Sequence, residues 1–280
     1  MDWSIVLDSS GNLSPDSIDN SGDIEWSIAP LTIIIDGKEY VDDENLDLAD
    51  MKRAMKEYKG ASGSACPSVG DFAARFRKAK NTICITISSE LSGSYESALQ
   101  AKELVGGEDG SKNIHVVDSR SAGSKMILIA EEAERLIHEG LSFTEVVAKI
   151  EEYAKSIRLL FSLARFDNLI KSGRMPRYQG MLGQLLNIRP IAKATEIGTI
   201  EVLEKPRGEK AMLRRLVELM QEFKNLEGMR VFIDHCDALD VVTRLKEMIE
   251  EAAKVKEVRL YSTTGLCSYY ADDKGFIISF

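Results

Sequence analysis

Short apolar runs, each closed by hydroxyl or carboxyl side chains and then followed by an amphipathic stretch, recur through the first half of this chain. Ser4-Ile-Val-Leu7 ends in Asp8-Ser-Ser-Gly-Asn12. Thr82-Ile-Cys-Ile-Thr-Ile87 runs into Ser88-Ser-Glu-Leu-Ser-Gly-Ser94, and Asn113-Ile-His-Val-Val117 ends in Asp118-Ser119. Such runs have the length and bounding turns of buried strands. Between and after them, Asp47 to Tyr58, Ser68 to Ala79, Gly93 to Leu104, Ser124 to Glu139 and Phe143 to Ile157 read as helices. In the last of these, Phe143, Val146, Val147, Ile150, Ala154 and Ile157 recur at helical spacing. Ser68 with Asp71 makes a capping-box-like start. Strand, polar loop and helix in repetition predict an α/β fold with a parallel sheet. Ligands of such sheets gather at the carboxyl ends of the strands, where the polar loops lie.

Trp26 to Ile35 reads as one extended segment closed by the turn Asp36-Gly37, and Gly60-Ala-Ser-Gly-Ser64 as a small flexible loop. Beyond residue 158 the pattern changes. Arg158 to Ala164 is a strand, Phe166 to Lys171 a short helix, and Ser172-Gly-Arg-Met-Pro176 a loop. Gly183 to Ile188 is an apolar helical turn stopped by Pro190, and Ile191 to Leu203 a hairpin turning at Ile197-Gly198. Helices over Ala211 to Phe223 and Ala238 to Ala253 alternate with strands Met229 to Ile233, Val258 to Thr263 and Phe276 to Phe280. Two domains are expected: 1–158, carrying the serine-rich loops, and a smaller mixed α/β domain over 159–280.

With 280 residues and 44% apolar composition, the chain can bury a substantial core. Its net charge of −9 argues against general binding to nucleic acid or anionic membrane, which needs clustered Lys and Arg. No apolar run approaches the ~20 residues of a membrane helix, so no stable membrane insertion is expected. The start, MDWSIVLDSS, has neither the basic nor the apolar region of a secretory signal. Cys66, Cys84, Cys236 and Cys267 form no CxxC pair, which predicts reduced thiols and a cytoplasmic protein. His115, His138 and His235 lack zinc-ligand spacing, so no metal is expected.

The chemistry on offer is sparse. There is no G-x-S-x-G elbow, and neither G-x-x-x-x-G-K-S/T nor G-x-G-x-x-G is present. His235, in Asp234-His-Cys-Asp237, admits two readings: a catalytic or metal corner, or a turn in which Asp237 caps the next helix. Asp8-Ser9-Ser10 is equally a turn or a metal corner. The stretch ISSELSGSYESA, Ile87 to Ala98, places five serines where a strand hands over to a helix. Their hydroxyls can cap the helix. With free N–H groups and the helix dipole they can instead hold a carboxylate. On the residues alone both readings stand.

Several separated blocks bear on that choice. Ile5-Val-Leu-Asp-Ser-Ser10 with Asn12-Leu13 resembles the opening V-T-D-S-S/T-x-D-L of the DegV family. Pro30-Leu-Thr-Ile33 with Asp36-Gly-Lys-Glu-Tyr40 and Asp42, and Ser64-Ala-Cys-Pro-Ser68 in place of T-S-Q-P-S, resemble further blocks. Ile87 to Ala98 is similar to I-S-S-x-L-S-G-T-Y-Q-S-A. Val117-Asp-Ser119, Leu169-Ile-Lys-Ser-Gly-Arg174, Leu185-Leu-Asn-Ile-Arg-Pro-Ile191 and Lys205-Pro-Arg207 with Lys210-Ala211 follow in the right order.

The resemblance implies a two-domain α/β protein that is not itself an enzyme. It implies no cofactor, a long-chain fatty acid as ligand, and a separate fatty-acid kinase as partner. Carried over by position, it implies Ser64, Ser92, Gly93, Ser94 and Arg174 at the carboxylate, with Ser88, Ser89 and Ser97 as scaffold. Leu182, Leu185, Leu186, Ile188 and Ile191 would line the acyl tunnel. The family's C-terminal H-x-G-P-G-x-x-G is missing: Ser268-Tyr-Tyr-Ala-Asp-Asp-Lys-Gly275 stands there, with Ser268 at the histidine position and only Gly275 in agreement. Tyr269 and Tyr270 would then narrow the tunnel mouth. The alternatives are a hydrolase or phosphoryl-transfer enzyme using Asp8, Ser92 and His235, or a binder of a different small amphiphile.

Overall fold

The computed structural model describes residues 2–13, 22–175 and 187–280. Strand β1 (Trp3–Asp8) lies between β2 (Ile24–Ala29) and β6 (Asn81–Thr86), and β7 (Asn113–Asp118) flanks β6. All three pairings are parallel. The period of two along each strand sorts the core. Ile5, Leu7, Ile83, Ile85 and Val117 pack with α4 (Ser124–His138) and α5 (Phe143–Ser156). Val6, Cys84 and Val116 pack on the other face, with α2 (Val69–Phe76) and α3 (Ser94–Glu108). Helix α2 starts at the capping box that its sequence announces, Asp71 N donating to Ser68 Oγ at 3.1 Å and Ser68 N to Asp71 Oδ2 at 3.0 Å.

The segment read as one strand over 26–35 is two. β2 stays in the parallel sheet, while β3 (Thr32–Ile35) begins a separate antiparallel one. The break falls at Pro30, which has no N–H to give to a ladder. β3 turns into β4 (Lys38–Val41) through Asp36 and Gly37, both at positive φ, 52° and 73°. A two-residue hairpin that matches the twist of its strands needs that pair of values. On its other side β3 pairs with β5 (Ser62–Ala65), so the supposed flexible loop at 60–64 is mostly strand, with Ser64 opposite Ile33. Helix α1 (Leu48–Glu57) closes this small sheet together with the later helix α9 (Gly265–Ala271) through Leu31, Ile33, Met51, Leu266 and Tyr269.

The third sheet runs in the order β10 (Ile200–Glu204), β9 (Ile191–Ala194), β8 (Leu159–Ser162), β13 (Phe276–Ser279), β11 (Arg230–His235) and β12 (Glu257–Ser262). Only β11 and β12 pair in parallel; the other neighbours are antiparallel. A parallel sheet in the first part and a mixed one in the second is the fold class that the sequence predicts. Helices α7 (Glu209–Phe223) and α8 (Leu239–Ala252) cover one face, over Leu160, Ile191, Val231, Ile233, Phe276 and Ile278. The opposite face carries Leu159, Phe161 and Ala192, with Ala194, Ile200 and Ile277 beside them. Against that face lie short elements, among them α6 (Asp167–Lys171) and α9. This face looks toward the loops of the first sheet.

Candidate functional site

An apolar cavity occupies that junction. Leu159, Phe161, Ala194 and Ile277 of the third sheet form one wall; Leu31, Ile87, Leu91, Ala122 and Leu266 form the other. Tyr270 and Leu169 close it, and Ser64, Ser92 and Arg174 are among its few polar contributors. A water molecule needs two to four polar partners to be held in place, and these walls supply few. The space suits an apolar guest with a polar end.

The five serines after β6 separate cleanly by what their hydroxyls do. Ser88 Oγ donates to Gly198 O at 2.8 Å, tying the β9–β10 turn to this loop. Ser89 Oγ donates to Asp118 Oδ2 at 2.7 Å, and Ser97 Oγ to Pro67 O at 2.7 Å. Ser94 is fully buried and donates to Asp8 Oδ2 at 2.6 Å. That turns its side chain away from the carboxylate position implied for it and into the scaffold. Ser92 differs. It is half-buried, lines the cavity, and its Oγ only accepts, from Ser94 N at 3.3 Å. Its hydroxyl proton has no acceptor among the described residues.

Helix α3 starts at Gly93, which has no side chain to cap it, and of these serines only Ser92 Oγ takes an amide of its first turn, that of Ser94. The amides of Tyr95 and Glu96 in that turn make no hydrogen bond among the described residues, and there the helix dipole favours an anion. Gly93 itself is exposed, and a Cβ there would approach Cys66 Sγ at 3.3 Å.

Ser64 reaches the cavity from β5, and its Oγ shares a 3.0 Å hydrogen bond with Tyr270 Oη. Next to it, Ser62 Oγ pairs with Tyr269 Oη at 2.7 Å. Of the two tyrosines only Tyr270 lines the cavity. Arg174 is not a solvated loop cation. Its Nε donates to Leu91 O at 3.0 Å and its Nη1 to Ser172 O at 2.9 Å, which sets the guanidinium beside the Ser92 loop. Ser268 is buried and shares a hydrogen bond with Thr263 Oγ1 at 2.8 Å, away from the cavity.

The expected tunnel residues fare differently. Leu182, Leu185 and Leu186 lie outside the described residues. Ile188 is half-buried and bridges Arg207. Ile191 faces the helices of the third sheet, because strand alternation gives the cavity side of β9 to Ala192 and Ala194. The walls contributed by β8 escaped notice in the sequence. A signal was there, since Leu159-Leu-Phe161 is apolar on both faces and both must be covered.

Three buried carboxylates hold the loops around the cavity. Asp8 accepts from Ile87 N at 2.8 Å, Ser94 Oγ, and Ser10 N at 3.2 Å. Asp42 accepts from Gly265 N at 2.6 Å and Leu266 N at 2.9 Å, and so caps α9. Asp234 accepts from Ser124 N at 2.7 Å and Asn12 Nδ2 at 3.1 Å, joining the third sheet to the start of α4. Burial raises all three above the usual carboxylate range, Asp234 to about 6. No hydrogen bond joins Ser92 to a histidine among the described residues. His115 bonds Glu151, His138 bonds Asp23, and His235 Nδ1 is buried without a partner.

Comparison with known proteins gives a consistent picture. The model of a family of uncharacterised proteins, DegV, matches residues 2–277. A DegV domain-containing protein of Streptococcus pyogenes is 39% identical over 280 residues, covering 100% of this chain and 99% of that one. The crystal structure of the Streptococcus pneumoniae Fatty Acid Kinase (Fak) B3 protein loaded with linoleic acid is 36% identical. It superposes with a TM-score of 0.95 over 100% of this chain and 99% of the other. A Eubacterium eligens DegV family protein loaded with heptadecanoic acid is 31% identical, with a TM-score of 0.94 and coverage of 99% and 98%.

Proposed function

The chain belongs to the DegV family, and from that premise we propose that it binds a long-chain fatty acid and presents the carboxylate to a separate fatty-acid kinase. One observation carries the reading: a cavity with apolar walls has, at its polar end, a serine whose hydroxyl proton is unspent. The acyl chain lies against Leu159, Phe161, Leu169 and Ile277. About 14 methylenes at ~0.8 kcal/mol each supply on the order of 11 kcal/mol before the costs of association. The head needs little more than orientation. Ser92 donates to the carboxylate, Arg174 and the open amides of α3 balance its charge, and Ser64 assists once Tyr270 yields its hydroxyl. Exposed Gly93 brings that end to the surface, where a kinase can reach it. The relatives crystallised with linoleic and heptadecanoic acids support this assignment.

Handover in this reading takes place on the partner enzyme, and the chain acts as a carrier. Residues 1–158 supply the head-group loops and 159–280 the sheet that walls the tail. The cysteines of the described structure are unpaired, which accords with a reducing cytoplasm. Native mass spectrometry of the purified protein tests the reading. A co-purified fatty acid, or uptake on incubation with oleate, is the expected result. Protein that stays empty in both overturns it.

A further inference from the structure

A second space, a groove of about 770 Å3, lies beyond Leu159 and Ala194, which wall both it and the apolar cavity. Its character is opposite. Lys125, in the first turn of α4, lines it at 8% exposure and makes no hydrogen bond or ion pair among the described residues. Its stem is buried while its ammonium opens onto the groove, where a ligand can meet it. Burial, then Arg158 and Arg120, push the Lys125 ammonium down to about 8, against the pull of Asp118.

Three of the four acids lining the groove carry hydrogen bonds. Asp118 accepts from Ser89 and from the Arg120 amide, Glu151 bonds His115 at 2.9 Å, and Glu222 bonds Arg215 at 2.8 Å. Glu196 is exposed. Of the cations, Lys193 pairs with Glu201 at 3.2 Å, and Lys155 and Arg120 lie near enough to Glu151 to favour its charge. Arg120 gives one N–H to Glu196 O and Arg158 one to Lys155 O, each at 2.9 Å, which leaves further guanidinium donors to spare. Lys155 makes no side-chain bond among the described residues.

We propose that this groove binds a phosphate monoester, its phosphoryl oxygens on Lys125, Arg120 and Arg158 and its organic part along the wall formed by Tyr95 and Phe223. A carboxylate brings one negative charge; a phosphate monoester brings nearly two and three acceptor oxygens, which match a lysine between two guanidinium forks. The groove is also far larger than a free phosphate ion requires.

Calorimetric titration of the full chain at fixed ionic strength, with glycerol 3-phosphate and with inorganic phosphate, tests the site. Saturable binding of the ester is expected, tighter than that of free phosphate. Lys125→Met should lose at least tenfold in affinity while unfolding at the same or higher urea concentration, since the unpaired charge is gone. Should that variant not fold, Arg120→Gln, at an exposed position, should weaken binding several-fold. No saturable binding of the ester, equal affinity for free phosphate, or equal affinity in the variants overturns the proposal. Fatty-acid uptake is read separately, so failure here leaves the carrier reading intact.

Discussion

Replacing Ser92 by alanine is the sharpest test of where the carboxylate sits. The hydroxyl proton of Ser92 has no acceptor among the described residues, and the oxygen only receives a 3.3 Å contact from Ser94 N. Its removal therefore costs the empty protein little, within about 0.5–1 kcal/mol of folding stability. The loaded protein loses a hydrogen bond to a charged group, worth about 1.5–3 kcal/mol, or roughly 10- to 150-fold in Kd. Ser94→Ala should behave in the opposite way. Its hydroxyl gives a 2.6 Å bond to the buried carboxylate of Asp8, so deletion should lower stability by about 1–3 kcal/mol and leave affinity nearly unchanged. Both quantities are measurable on delipidated protein, by displacement of a fluorescent fatty acid and by urea unfolding. Unchanged affinity in Ser92→Ala, or a weakened Ser94→Ala with normal stability, would refute the assignment of the two hydroxyls.

Further outcomes follow from the same contacts. Gly265→Ala should destabilise the protein by about 1–3 kcal/mol, because a Cβ there comes within 2.7 Å of Asp42 Oδ1 and displaces the carboxylate that caps α9; a urea midpoint equal to wild type would contradict this. Asp234 titrates near 3.8 when unfolded and about 6 when folded. The native state then binds the extra proton, so this contribution is full below about pH 4 and is lost as pH rises through 6, some 3 kcal/mol at ~1.4 per unit. The stability difference between wild type and Asp234→Asn should therefore change across that window, and parallel pH curves would exclude it. Tyr270→Ala removes a ring from the cavity wall and should shift the co-purified acids toward longer or bulkier chains. The same acid profile as wild type would show that Tyr270 does not set the fit.

Much of the fold is legible in local pattern. The strands β1, β6 and β7, helices α4 and α5, and the capping box of α2 follow from periodicity and end signals fixed by chain geometry. The Asp36-Gly37 turn was visible as well. The short strands β4 and β5 and the short helix α9 were not, because their order depends on neighbours. β5 reads Ser-Gly-Ser-Ala, with no strand propensity of its own, and exists as a ladder against β3. The DegV-like blocks singled out Ser64, Ser92 and Arg174, which the fold brings to one cavity, while composition and spacing left capping and anion binding open.

What the sequence by itself determined is the alternation of buried strands, polar loops and helices, and hence that the serine-rich stretch lies at a carboxyl edge. What the tertiary structure decided is which of its hydroxyls remains free. Ser88, Ser89, Ser94 and Ser97 are each satisfied by Gly198, Asp118, Asp8 and Pro67, groups from other parts of the chain. The same holds for Ile191, sent to the helix side of its strand, and for Lys125, left without a hydrogen bond or ion pair among the described residues. Local geometry fixes the period of a pattern, but the partner that meets each side chain is set only when distant segments come together.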